Sequence, residues 1–216
     1  MNLKCLMILP AVALLPAVSM AQWSANVGYV SDYIYRGIFQ TESSASAGID
    51  YEGENGFSVG TWGADVGDGI ETDLYFGYGG GSGDFSYSVG WTGYYYSDDF
   101  DDTYVESNLS LGYGFVELGF NVGEWGNGVK WDGNGIPQDY TFTSLTFNIP
   151  GDMYLTYGSH GDDFSGSYLE FGYGFELSGF DLGIGLISAD GLGASNNGGE
   201  EALFFSIGKG LDIGGE

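Results

Sequence analysis

The sequence is almost without basic residues. Of 216 residues only four are Lys or Arg, against 30 Asp and Glu, for a formal net charge of −26 at pH 7. So acidic a chain repels phosphate backbones, which excludes nucleic acid as a partner. There is one cysteine, Cys5, and one histidine, His160. A disulfide framework and a cysteine-ligated metal site are thereby excluded. No P-loop, H-E-x-x-H or C-x-x-C occurs, and no G-x-G-x-x-G stands in the right context, so no cofactor is expected. Long apolar runs are lacking as well: beyond residue 21 nothing is apolar enough to cross a bilayer as a helix. Strong acidity also accompanies disorder, but disordered chains are poor in aromatics. Here Phe, Trp and Tyr make up 17% of the chain, so disorder is excluded too.

The first residues set the compartment. Lys4 supplies a positive start, residues 6–18 form a short apolar core, and Ser19-Met20-Ala21 places small residues at the −3 and −1 positions. This is the pattern of a cleaved secretory signal peptide, residues 1–21, with cleavage after Ala21. Cys5 leaves with it. The remaining chain, residues 22–216, fits one domain, and its bases are Arg36, Lys130 and Lys209 alone.

What the chain does have is glycine, 41 residues of it, set among aromatics in period-two alternation. Trp23, Ala25, Val27, Tyr29, Tyr33 and Tyr35 share one face of a first strand; Ser24, Asn26, Gly28 and Asp32 share the other. The same grammar recurs at Ala45 to Tyr51, Leu74 to Tyr78, Phe85 to Tyr95, Val105 to Tyr113, Val116 to Val122, Leu169 to Phe175, Phe180 to Leu186 and Leu203 to Ile207. Three further strands are less clean: 57–64, 140–149 (whose mixed phase suggests a bulge) and 153–160. Connections alternate in length. Short ones fall at 52–56, 80–84, 112–114, 150–152 and 177–179, and longer ones at 36–43, 65–70, 97–102, 123–138, 161–166 and 189–201.

An even number of antiparallel strands, with short turns at one end and longer loops at the other, is the outer-membrane pattern. In hydrocarbon only a closed barrel satisfies every backbone group of a strand. The expected fold is therefore all-β: a transmembrane, antiparallel, up-and-down barrel of about 12 strands, with roughly 10 to 14 compatible with the pattern. Its apolar faces would meet outer-membrane lipid and lipopolysaccharide, and its Gly/Ser/Asn/Asp/Glu faces would line a water-filled lumen. A soluble β-sandwich explains the alternation but gives no reason for the sorting of loop lengths.

The stretch Asn26 to Thr41 contains Ser31-Asp32-Tyr33-Ile34-Tyr35-Arg36-Gly37-Ile38-Phe39-Gln40-Thr41. It resembles the opening signature of the TorF-like porin family, approximately S-D-Y-x-[FY]-R-G-x-x-Q-T. The likeness continues through Gly48-Ile49-Asp50-Tyr51, Gly56 to Trp62, Glu71 to Tyr78 and Tyr104-Val105-Glu106, and is only compositional afterwards. The resemblance implies a porin-type barrel of the bacterial outer membrane, inserted by the barrel assembly machinery, and names no substrate. Chains of this kind often end on an aromatic residue that this machinery reads; here the last residues are Leu211-Asp212-Ile213-Gly214-Gly215-Glu216.

Counting phase from the first strand sorts the lumen acids by height. Asp32, Glu71, Asp73, Glu106 and Glu170 fall in the outer half, and Asp50, Glu117, Glu176 and Asp181 in the inner half. Acidic rings between low-dielectric walls concentrate cations and repel anions. A passive channel for small hydrophilic solutes, cations preferred, is the expected function. The bland alternative is that these carboxylates merely solvate the lumen. A second alternative is a closed structural or adhesive barrel with acidic outer loops. Arg36 sits in phase with Asp32, and its planar fork suits carboxylates; pairing with Asp32, Glu71 and Asp73 is expected, as a pin for the first loop. Asp98, Asp99, Asp101 and Asp102 are weak candidates for Ca²⁺, since they lack EF-hand spacing. His160, with Asp162 and Asp163 beyond it, is the sole basis for a hydrolase reading. No enzyme activity is expected.

Overall fold

The computed structural model describes residues 22–98, 100–126 and 137–214. The expected signal-peptide segment, Asp99, Lys130 and most of the loop expected at 123–138 lie outside the described residues. The strands are β1 (Gln22–Tyr35), β2 (Ile38–Glu52), β3 (Phe57–Asp65), β4 (Ile70–Ser82), β5 (Phe85–Tyr96), β6 (Tyr104–Tyr113), β7 (Val116–Trp125), β8 (Gln138–Ile149), β9 (Met153–Asp162), β10 (Ser167–Leu177), β11 (Phe180–Asp190) and β12 (Glu201–Gly214). Each pairs antiparallel with its neighbours in sequence, and β1 pairs with β12 to close the barrel. No sheet edge is left open, which is what a strand-built wall in lipid requires.

Alternation does the sorting. Val27, Leu74, Phe76, Leu186 and Phe205 point outward and are about half exposed, at 48–55%. At the short-turn end the outward face turns aromatic, with Trp23, Phe57, Tyr78, Phe85, Tyr113, Phe115, Phe175 and Phe180 all exposed. That is the girdle expected where hydrocarbon meets headgroups. Lys209 belongs to this outer wall and lies 4.9 Å from the centre of the Phe180 ring.

The loop lengths are less sorted than expected: connections 66–69 and 163–166 have four residues each, as many as the turn 53–56, and the first long loop is absent. Residues 36–43 do not form a loop: β1 and β2 run on as a long hairpin joined by a two-residue turn at Arg36 and Gly37. Both turn residues have positive φ, +49° and +84°. Two consecutive positive-φ residues give the turn whose twist matches the flanking strands, a geometry that favours Asn-Gly and puts strain on an arginine.

β8 is also simpler than expected. Its register with β7 and β9 runs without a shift, so there is no bulge. Its mixed phase has another cause: Tyr140 and Phe142 point into the barrel, whereas Ile149 at its other end faces outward. Tyr33 and Tyr35 depart from the sequence reading in the same way. Both turn inward, Tyr33 to only 3% exposure. The pairing of β1 with β12 stops at Val30, and beyond it the amide of Phe205 donates to Ser31 Oγ rather than to a backbone carbonyl. Freed from β12, the upper part of the β1–β2 hairpin leans into the lumen.

Candidate functional site

The hairpin tip crosses the barrel. β1 has only β2 and β12 as wall neighbours, yet its last residues touch β5, β6, β8, β9 and β10. Tyr35 Oη–H donates to Tyr94 Oη on β5 at 2.7 Å. Arg36 forms a two-pronged ion pair with Glu106 on β6, both N–H···O distances being 2.8 Å. The guanidinium carbon lies 4.3 Å from the centre of the Phe142 ring and 4.8 Å from that of Tyr35. His160 Nε2–H on β9 donates to the Arg36 carbonyl at 3.0 Å. Gly37 lies against Tyr168 and Leu192, where a Cβ would come within 2.8 Å of the leucine side chain. The Phe39 amide donates to the carbonyl of Gly193 in the β11–β12 loop at 2.7 Å.

Glu106 is the hub. It is 2% exposed and accepts further hydrogen bonds from Tyr94 Oη at 2.9 Å, Tyr140 Oη at 3.0 Å and Asn108 Nδ2 at 2.7 Å. A buried carboxylate held by a bidentate arginine and neutral donors is stable where a bare one is not. Two apolar clusters flank the tip. Tyr33, Ala64 and Val66 form one; Phe142, Tyr168, Ile187, Ala189 and Ala194 form the other, with Ile34 and Leu192 packed on it. The outer lumen is thus a small packed core.

Glycine makes room for this core. Gly123 stands directly across from Tyr140, and Gly158 from Tyr168. A Cβ on either would sit 2.4 Å and 2.3 Å from the facing ring, so each aromatic lies flat across the glycine beside it. Such cross-strand pairs explain part of the glycine excess that composition alone leaves unaccounted for.

The expected ion pair is corrected. Arg36 pairs with Glu106, not with Asp32, Glu71 or Asp73. The tip carries the arginine away from its own strand and β4 and over to β6. Asp32 accepts from Ser31 Oγ at 2.8 Å. Glu71 accepts from Tyr33 Oη at 3.0 Å. Asp73 is fully buried, with its carboxyl within hydrogen-bonding reach of that of Glu71. Glu170, also on the lumen face, accepts from Tyr154 Oη.

The inner half differs. Asp50 accepts from Tyr75 Oη at 2.5 Å and stays partly exposed. Glu117 accepts from Ser110 Oγ at 3.1 Å and is partly exposed, as is Asp181, while Glu176 is exposed. Gly77, Ser88, Gly112, Gly119, Ser144 and Gly208 share this inner face. Short side chains and partly exposed acids share this face with Tyr75 and Tyr154, which also point inward.

The outer-loop acids do not gather. Among the described residues no group of three His, Cys, Asp or Glu is placed to share a metal ion. Asp101 accepts from Tyr104 Oη at 2.9 Å and from Trp125 Nε1 at 3.0 Å, so it serves as a brace for the aromatic mouth. Asp98 accepts from Ser97 Oγ, and the Asp102 carboxylate from the Thr103 amide. Asp99 lies outside the described residues.

A closed barrel of twelve antiparallel strands, apolar outside and polar within, is the architecture of a transmembrane β-barrel. The chain belongs to the family described as "Bacterial protein of unknown function (Gcw_chp)", which matches residues 16–161. Among solved structures, a KdgM porin is similar with a TM-score of 0.56 and 8% identity, covering 88% of this chain and 99% of its own. "KdgM porin in complex with disordered oligogalacturonate" is similar with a TM-score of 0.56 and 7% identity, over 88% of this chain and 99% of that one. The outer membrane protein OprD from Pseudomonas aeruginosa is a looser relative in shape, with a TM-score of 0.43 and 14% identity over 89% of this chain and 66% of OprD. No protein with a curated description matches the sequence.

Proposed function

We propose that the protein is a porin-like channel of the bacterial outer membrane, passing small hydrophilic solutes with a preference for cations. The observation that carries this reading is the lumen: acids at two heights inside a closed barrel, with Arg36, already committed to Glu106, as the sole Lys or Arg facing inward among the described residues. Fixed negative charge between low-dielectric walls raises the local concentration of cations. The likeness of residues 26–41 to the TorF-like signature supports the same reading.

The charge also limits the passenger. One structural neighbour is solved with oligogalacturonate, an acidic sugar chain; the present lumen, with its inward acids, repels such a cargo. In the docked state the β1–β2 tip fills the outer lumen, so conduction requires the tip to move. Planar-bilayer recordings test the whole reading. Stable current steps with a cation-selective reversal potential in a KCl gradient are expected. Anion selectivity overturns the cation preference, and silence of both wild type and Arg36→Ala overturns the channel.

A further inference from the structure

Arg36 is an unexpected residue for its position. The turn it occupies, with positive φ at both residues, favours asparagine and penalises a long side chain. Its side chain is nevertheless the best-held in the lumen. The guanidinium donates two 2.8 Å hydrogen bonds to a carboxylate that is itself 2% exposed, and it is covered by the rings of Tyr35 and Phe142. The Glu106 carboxylate is in turn fixed by Tyr94, Tyr140 and Asn108. All of the cage except Tyr35 belongs to the wall, on β5, β6 and β8. Only the occupant and one of its covers arrive on the hairpin. A buried carboxylate with fixed oxygens and an aromatic plane beside it is the chemistry that recognises a guanidinium group, whichever molecule carries it.

We propose that the Glu106 cage is a binding site for the guanidinium group of a small solute, and that Arg36 is its built-in competitor. The proposal rests on the channel reading and specifies its passenger. When a soluble guanidinium takes Glu106, Arg36 loses its counter-charge, and the tip is left to the Phe39–Gly193, Arg36–His160 and Tyr35–Tyr94 hydrogen bonds and the packing of Tyr33 and Ile34. The outer lumen then opens, with one cation exchanged for another at the same carboxylate.

The test is calorimetric titration of methylguanidinium chloride into detergent-solubilised Arg36→Ala, in which the cage stands free. Saturable binding at one site is expected, with binding at least about tenfold weaker in Arg36→Ala/Glu106→Gln, a loss of about 1.4 kcal/mol or more. KCl at the same concentration is expected to give no such isotherm. Absence of saturable binding, or equal binding by the double variant, overturns the proposal. Should Arg36→Ala fail to assemble, as read by loss of heat-modifiable migration, the wild type decides: methylguanidinium is expected to speed hydrogen exchange of the Phe39 amide about tenfold, and an unchanged rate overturns the proposal. Bilayer recordings in KCl stand apart from both measurements. Silence there removes the channel while leaving the binding result intact.

Discussion

The two halves of the lumen are built from the same strands and the same inward face, yet they are different environments. At the short-turn end Asp50, Glu117, Glu176 and Asp181 keep contact with water, among glycine and serine. At the other end Glu71, Asp73 and Glu106 are at most 2% exposed, among tyrosine, phenylalanine and leucine. Strand alternation does not distinguish the halves. The difference comes from what enters the barrel: the β1–β2 tip occupies the outer half, whereas only wall side chains such as Tyr75 and Tyr154 reach into the inner half. A carboxylate's role along one lumen is therefore set by whether solid packing or water faces it.

The contrast can be broken most forcefully at its hub. Glu106→Leu strands a guanidinium in a dry site, and removing one partner of a buried pair costs about 3–5 kcal/mol. The docked tip is expected to give way, with exchange of the Phe39 amide accelerated at least a hundredfold, on the order of 3 kcal/mol; an unchanged rate shows the tip is held by other contacts. A smaller effect follows from the glycines. Gly123→Val drives into the Tyr140 ring and is expected to lower stability by about 1–3 kcal/mol, as overpacking does. Gly210→Ala, in the inner half where a Cβ meets nothing within 4 Å, is expected to leave it unchanged. Equal urea midpoints for these two variants remove the distinction between packed and open halves.

The next effect has the opposite sign. Asp73 is fully buried beside a second carboxyl, that of Glu71, so Asp73→Leu is expected to raise the unfolding midpoint, by about 1–3 kcal/mol of relieved desolvation; a lowered midpoint means that the two carboxyls satisfy each other in the folded barrel. The inner acids are expected to matter least for stability. Asp50→Asn, Glu117→Gln and Glu176→Gln together change it by roughly 0.5 kcal/mol or less, as surface substitutions do, while moving the reversal potential toward that of a non-selective pore. Were selectivity unmoved, it would reside in the outer half alone.

Much of this was legible in the sequence. The strand periods, the short turns and the closed barrel follow from alternation and loop length, because each strand meets two solvents and its residues sort between them. The same counting sets Glu106 on the lumen face. What could not be counted was the third environment. Tyr33 and Tyr35 continue the outward pattern of Val27 and Tyr29, and only the loss of β12 pairing after Val30 turns them inward. Tyr140 and Phe142 look like a phase error because an aromatic in the lumen is expected only where something dry faces it. The partner of Arg36 was missed for the same reason: the residues from 36 to 43 looked like a loop, and a loop does not reach the opposite wall. The Arg-Gly pair was the available signal, since arginine is a poor choice for that turn.

The seam between β1 and β12 has a consequence for assembly. Every other strand pair joins sequence neighbours through a turn or loop, so those ladders form locally and early. The seam alone must bring the two ends of the described chain together, and it carries the largest loop-closure entropy of the molecule. Its register shifts between Trp23 and Ser24, and its pairing stops at Val30. By that cost, closure of this ladder is expected to come last, and until it happens the curled sheet presents two raw edges. A lesion that shortens β12 would leave each hairpin intact while stopping the molecule one step short of a wall.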